Sequence, residues 1–324
     1  MTALHRVLAV ALLTLLLSAC SKAGDPLPSW APGPTRSAIL DFVSVVTTPG
    51  NPAFRAPEER VAVFDNDGTL WAERPQYFQM YFVTERIRQL GASHPEWQTE
   101  EPYSLILSGQ EQKVLDQGFR AMSALSATAM RGLTTEEYRS LSAQFVFAGK
   151  HPEHGTAYAQ LAYQPMLELV RFLEANEFRV YIVSGGNISF IRGFSEELYG
   201  IPRERVIGST MKNKYDGSEN TVLRGEKFSL INVGAAKVLN IDEHIGRRPI
   251  LAVGNSDGDL EMLQYAVGGP AGGMAVVLMH DDGGREYAYT EGAEKVVNLS
   301  GQPGWLHVSM AADFSAVFLK QEQR

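Results

Sequence analysis

The sequence predicts an α/β protein, a doubly wound parallel sheet with an inserted helical cap domain. Three observations predict it. Short apolar runs each stop at a polar, glycine-containing loop. Amphipathic helical stretches lie between those runs, and strands that alternate with helices favour a parallel sheet covered on both faces. After the first run comes a long stretch with helical character and no strand signal, which reads as an insertion.

The elements follow in chain order. His5 and Arg6 precede an apolar run over 7–17. That run is too short to span a bilayer and suits the apolar part of a signal peptide. It ends in Leu17-Ser18-Ala19-Cys20. Small residues before a cysteine resemble the lipobox of bacterial lipoproteins, in which the cysteine becomes the lipidated mature N-terminus. The expectation is a signal peptide over 1–19, a membrane anchor at Cys20 and an extra-cytoplasmic location in a bacterial envelope. Cys20 is the sole cysteine, so the mature domain has neither disulfide nor thiol chemistry. Residues 20–35, rich in proline and glycine, read as a flexible tether.

The α/β core is expected over 36–74 and 164–324, with the helical cap over 75–163. Val61-Ala62-Val63-Phe64 runs into Asp65-Asn66-Asp67-Gly68-Thr69. In the cap, 77–91 and 110–131 have helical patterns, and Thr134 reads as an N-cap. The stretch 165–177 carries a core-facing apolar stripe. Val180-Tyr181-Ile182-Val183 runs into Ser184-Gly185-Gly186-Asn187, with a helix over 187–199. A helix over 235–241 precedes Ile250-Leu251-Ala252-Val253, which runs into Gly254-Asn255-Ser256-Asp257-Gly258-Asp259. A fourth run, 274–279, ends at His280. In open parallel sheets the site lies beyond the carboxyl ends of the strands, where these polar loops fall.

The composition sets bounds. At 44% apolar and 20% charged the 324-residue chain is globular and long enough for a sizeable core. Its formal charge is −8 with no run of Lys and Arg, so no nucleic-acid surface is expected.

Asp65 and Asp67 stand two apart just past a strand, close enough to repel. A buried like-charge pair needs a cation or a shared proton. A hard cation such as Mg²⁺ takes oxygen ligands and keeps waters for a substrate phosphate. An aspartate can attack phosphorus, and a second can protonate the leaving alcohol and then activate water. The same residues are ordinary turn formers. Ser184 and Gly185 at a helix start offer a hydroxyl and open N–H groups to an anion. Asn255, Asp257 and Asp259 offer one amide oxygen and two carboxylates, and Lys237 a point charge for phosphate.

In order and strand-end position, these four signals resemble the haloacid dehalogenase-like hydrolase superfamily, whose core is Rossmann-like. The resemblance covers roughly 60–70 and 160–285. The subgroup it looks most like is phosphoserine-phosphatase-like, through Val183-Ser184-Gly185-Gly186, Tyr199-Gly200 and Val206-Ile207-Gly208-Ser209. The resemblance implies a Mg²⁺-dependent phosphomonoester hydrolase acting on a small phosphorylated metabolite through an aspartyl-phosphate. Asp65 would be nucleophile and metal ligand. Asp67 would be general acid/base and lend its backbone carbonyl to the metal. Ser184 and the Gly185 N–H would bind phosphate, with Lys237 as partner of phosphate and carboxylates. That family commonly has Gly-Asp-x-x-x-Asp in its last motif. Asp259 matches the second carboxylate and Asn255 replaces the first, so the metal set would be Asp65, Asp67, Asn255 and Asp259, with Asp257 as an alternative to Asn255.

Trp71, Glu73, Arg74, Tyr77 and Phe78 follow the nucleophile loop. They could line its entrance, caging a quaternary ammonium or, at Arg74, meeting a substrate carboxylate; packing between cap and core is the simpler alternative. Other chemistries of the superfamily stay open. Dehalogenation would not need Asp67. Phosphotransfer would share the motifs. C–P cleavage through a Schiff base would need a cap lysine such as Lys113 or Lys150. A catalytically impaired, membrane-tethered binding protein is the alternative from another class, and Asn255 is the feature that favours it.

Overall fold

The computed structural model describes residues 24–117, 119–270 and 272–319. The expected signal peptide and Cys20 lie outside them. Among the described residues no helix is long and apolar enough to cross a membrane.

Helix α1 (Pro34–Thr47) precedes strand β1 (Val61–Phe64). The insertion follows as α2 (Phe78–Gly91), α3 (Tyr103–Leu107), α4 (Glu111–Leu115), α5 (Phe119–Ala129) and α6 (Thr135–Ala148). The chain returns through α7 (Gln164–Ala175) to β2 (Arg179–Asn187), α8 (Ile188–Ile191), α9 (Ser195–Tyr199) and β3 (Val206–Met211). Next come β4 (Lys214–Asp216), β5 (Thr221–Leu223), β6 (Phe228–Leu230), α10 (Ala235–Ile245) and β7 (Leu251–Gly254). The rest is α11 (Leu260–Val267), β8 (Met274–Met279), α12 (Glu294–Leu299), β9 (Trp305–Ser309) and α13 (Met310–Asp313).

The main sheet runs β6-β3-β2-β1-β7-β8-β9. All its pairings are parallel except that of β6 with β3. Strand β1 is the switch point: the chain leaves it for β2 and β3 on one side and for β7 to β9 on the other. Every residue of β1 is buried, with Ala62 and Phe64 in one apolar layer and Val61 and Val63 in the other. A strand buried on both faces has to be continuously apolar, which is why it is so legible. Phe64 pairs with Ile182 and with Val253. That register brings the loops after β1, β2 and β7 to one end of the sheet.

The α/β class is as expected. Four of the seven strands of this sheet fall on the apolar runs. Strand β9, whose residues are mostly half-exposed, and the three-residue β6 lack the apolar signal. The helix expected over 187–199 is two short ones, α8 and α9, separated around Gly193. A second insertion was not legible: the β4–β5 hairpin braces the cap. Arg224 N–H donates to Leu133 O at 2.9 Å, and its guanidinium lies 4.8 Å over the Tyr138 ring.

The tether is shorter than expected. Leu27 and Trp30 are buried. Trp30 meets Phe314 edge-on at 4.9 Å and donates to Pro165 O at 2.9 Å, while Ser29 Oγ donates to Glu168 at 2.7 Å. Proline-rich composition hid two large apolar side chains whose burial fixes this segment to the core.

Candidate active site

Asp65 leaves β1 with its N–H on Val253 O at 2.9 Å. Its carboxylate is buried, and Oδ1 accepts from Lys237 Nζ at 2.7 Å. Lys237, in the first turn of α10, also donates to Asp259 Oδ1 at 2.5 Å. Burial and the Asp259 charge push Asp65 well above the usual carboxylate range, against the pull of Lys237. Burial drags Lys237 down, but Asp259 and Asp65 overcome it, and the ammonium ends above its ordinary value.

Asp67 Oδ1 accepts from Trp71 Nε1 at 2.8 Å. Burial raises Asp67 to about 6, opposed by the Trp71 hydrogen bond and reinforced by the Glu73 charge. A carboxyl group held near 6 can both give and take a proton near neutral pH.

Ser184 is buried and its Oγ accepts from Gly186 N at 3.0 Å. Asn232 donates to Ser184 O at 3.0 Å and Ser209 Oγ to Gly185 O at 2.7 Å, so both residues shape this loop. A side-chain carbon at Gly186 would lie 3.5 Å from Asp67 Oδ2, which shows that the loop adjoins Asp67. The helix start expected at Ser184 and Gly185 is not there. Strand β2 continues to Asn187, whose Oδ1 accepts from Ser189 and Phe190 N–H and starts the four-residue α8. Any anion at Gly185 therefore meets extended backbone rather than a helix terminus.

The last loop separates its three polar residues. Asp257 turns away, and its Oδ1 accepts from Lys295 and Val296 N–H at the start of α12. Asn255 is buried at the site, with Oδ1 accepting from Thr69 Oγ1 at 3.0 Å and Nδ2 donating to Glu73 Oε1 at 3.1 Å. Of the two, Asn255 lies beside the nucleophile loop and Asp257 does not. Asp259, expected as a metal ligand, has both oxygens engaged. Oδ1 holds Lys237, and Oδ2 accepts from the N–H groups of Asn255 and Ser256 and from Ser256 Oγ. These contacts tie Asp259 to the lysine and to its own loop.

Among the described residues no three His, Cys, Asp or Glu side chains form a ready metal cluster. A cation would draw on mixed oxygens: the Asp65 carboxylate, the Asp67 carbonyl and the Asn255 amide. The donors are hard, as Mg²⁺ requires. The local charge also fits, since Asp65, Asp67, Glu73 and Asp259 outnumber Lys237. A cradle stands beside Gly68, whose φ is +72°. A Cβ there would come within 2.2 Å of Asn255 Nδ2 and 2.8 Å of Glu73 Cδ. Only glycine tolerates both that backbone angle and that approach.

His280 supports this loop. Nε2 lies 2.8 Å from Gly68 O and Nδ1 lies 3.1 Å from Glu286 Oε2. Asn232, Tyr289 and Glu286 were not singled out from sequence, because none carries a motif and each acts through contacts distant in the chain; Ser209 entered only as the end of the Val206–Ser209 motif, with no contact assigned to it. Trp71 and Phe78, read as possible entrance aromatics, are fully buried, with Trp71 packed on Phe78, Phe190 and Phe194. Tyr77 is half-exposed, and Arg74 lies 4.5 Å over the Tyr289 ring. Lys113 and Lys150 are exposed on the cap.

The structure is thus a mostly parallel α/β sheet with a buried, lysine-paired aspartate at its switch point. A family model, haloacid dehalogenase-like hydrolase, matches residues 62–264, and the chain belongs to that family. Nothing among the curated proteins matches it. A solved protein of unknown function from Anaerococcus prevotii is 15% identical, with TM-score 0.55 over 89% of this chain and 96% of that one. Another, from Bordetella pertussis, is 12% identical, with TM-score 0.50 over 77% and 98%. At these identities the likeness shows the fold alone.

Proposed function

We propose that this protein is a Mg²⁺-dependent phosphomonoester hydrolase that forms an aspartyl-phosphate on Asp65. The observation that carries the reading is the buried Asp65–Lys237–Asp259 cluster with Asp67 beside it. When bound, Mg²⁺ would neutralise crowded carboxylates and phosphate charge. Asp65, the Asp67 carbonyl and Asn255 would hold it.

Lys237 grips Asp65 Oδ1, which leaves Oδ2 to attack. A lone pair of Oδ2 forms the new O–P bond while the bond from phosphorus to the leaving oxygen breaks. Asp67 gives its proton to that oxygen, so the alcohol leaves neutral. The Asp67 carboxylate then takes a proton from water as the water attacks phosphorus. The Asp65–phosphorus bond breaks, the Asp65 carboxylate returns and inorganic phosphate leaves. Ser184 and the Gly185 N–H would bind phosphate oxygens. Arg74 and Tyr77 would meet the rest of a small phosphorylated metabolite.

The test is hydrolysis of a generic aryl phosphate with and without Mg²⁺. Metal-dependent phosphate release is expected, and Asp65→Asn should abolish it. Equal activity of the two proteins would reject the mechanism.

The run over 7–17 and Leu17-Ser18-Ala19-Cys20 support a lipid anchor at Cys20 that holds the enzyme in a bacterial envelope. Cys20→Ala should move the protein to the soluble fraction; continued detergent partitioning would sink that assignment.

A further inference from the structure

Glu73 is a buried carboxylate beside the nucleophile loop for which the scheme above has no task. It follows the nucleophile loop and could have pointed to solvent, yet it is 8% exposed. Its Oε1 accepts from Asn255 Nδ2 at 3.1 Å and from Tyr289 OH at 2.6 Å. The Gly68 cradle is walled by this same pair, the Asn255 amide and the Glu73 carboxylate.

Placing a carboxylate there is costly. Glu73 is held by two neutral donors, the Asn255 amide and the Tyr289 hydroxyl, in a buried region that also contains Asp65 and Asp259. The one ammonium in the cluster, Lys237, already serves Asp65 and Asp259. A fourth carboxylate among three others is favourable once another cation joins them. Mg²⁺ sites in proteins use one or two carboxylates with neutral oxygens and water. Asp65 is one. Asp259 is saturated by protein donors, Asp257 caps a helix, and Asn255 carries no charge.

We propose that Glu73 supplies the second carboxylate of the Mg²⁺ shell and acts jointly with the side-chain oxygen of Asn255. This rests on the metal-dependent reading above. The Thr69 hydroxyl can accept as well as donate. The Asn255 amide can therefore turn over, donate to Thr69, and present Oδ1 beside Glu73. Two oxygens would then face one point, the arrangement a hard cation requires. The surroundings hold the pair in place. Tyr289, which donates to Glu73, stacks on His280 at 4.3 Å and 17°, and His280 contacts Gly68 O. One aromatic pair thus sets both the carboxylate and the glycine turn.

The test is calorimetric titration of Mg²⁺ into the wild type, Glu73→Gln and the double variant Glu73→Gln/Asn255→Asp, with aryl phosphate hydrolysis measured on the same samples. Glutamine keeps the size and an acceptor for Tyr289 but removes the charge. We expect Glu73→Gln to bind Mg²⁺ at least ~10-fold more weakly. The double variant, which moves the carboxylate to position 255, should recover most of the loss. Melting curves in chelator establish that each variant is folded. If the glutamine variant does not fold, Glu73→Asp, which withdraws the charge by one methylene, carries the same expectation. Unchanged Mg²⁺ affinity in the folded variant overturns the assignment while leaving the phosphatase reading standing. A wild type that neither binds Mg²⁺ nor releases phosphate sinks both.

Discussion

Asp65 and Asp67 are the same residue type two positions apart, yet their surroundings assign them different work. Asp65 faces an ammonium, which orients one oxygen and frees the other. Burial raises Asp67, and the indole N–H of Trp71 offsets only part of that, so it rests near 6. Divergent environments for paired carboxylates are how acid/base roles separate. Asp67→Asn removes the transferable proton without changing the side chain's size. Phosphate release should fall by ~10²- to 10⁴-fold, measured as kcat on an aryl phosphate with Mg²⁺ saturating. Asp65, Asp67 and Ser184 were singled out because each stands in a polar loop at a strand end, and Lys237 because it lies on a helix shortly before the third such loop. The change of task at Asp259 and Asp257 was not legible. Both are acidic residues of one short loop, and only the backbone path decides which faces Lys237 and which caps α12.

At the scale of elements, the cap grips the junction of β2 and α8 from two sides. Gln79 of α2 accepts from Asn187 N–H at 2.9 Å, and Ser142 of α6 donates to Phe190 O at 2.7 Å. Helix α6 starts with a reciprocal cap: Thr134 Oγ1 accepts from Glu137 N–H at 3.1 Å, and Glu137 accepts from Thr134 N–H at 2.8 Å. That start was readable, because Thr-x-x-Glu is a local signal. Thr134→Ala should lower stability by about 1 kcal/mol, read from the urea midpoint, with kcat nearly unchanged because the helix stays anchored by Tyr138, Ser142 and Val146. The hairpin that braces the cap gave no comparable signal. Its strands are three residues each with none buried, so their place comes from contacts with Leu133 and Tyr138 rather than from their own pattern.

For the molecule as a whole, pH should act on stability through His151. It is buried beside Phe78, Tyr81 and Tyr158, and its Nδ1 accepts from the N–H groups of Glu153 and His154. Burial and the nearby His154 lower it to about 4. A folded-state pKa below the unfolded value near 6.5 favours folding above 6.5. That contribution is lost as pH falls from about 6.5 towards 4. His151→Asn keeps an acceptor in place and cannot titrate. Its melting temperature should fall less steeply than the wild type's across that window, as the difference between the two profiles measures. Parallel profiles would remove His151 from the account.

The sequence by itself determined the α/β class and the central strands, and it singled out the polar residues that the fold gathers at one end of the sheet. These are local properties: apolar runs, helical periodicity and reactive side chains at strand ends. It also carries the expectation of an anchor at Cys20, which rests on local signals alone. Tertiary structure decided what depends on distance. It tied Trp30 and its proline-rich segment to the core, extended β2 past Ser184 and Gly185 to Asn187, and committed Asp259 to Lys237 and Asp257 to a cap. It also folded Glu73 back over Gly68 against Asn255. Hydrogen bonds and ion pairs between residues far apart in the chain leave no periodic trace, so a carboxylate's task becomes visible only when its neighbours are in place.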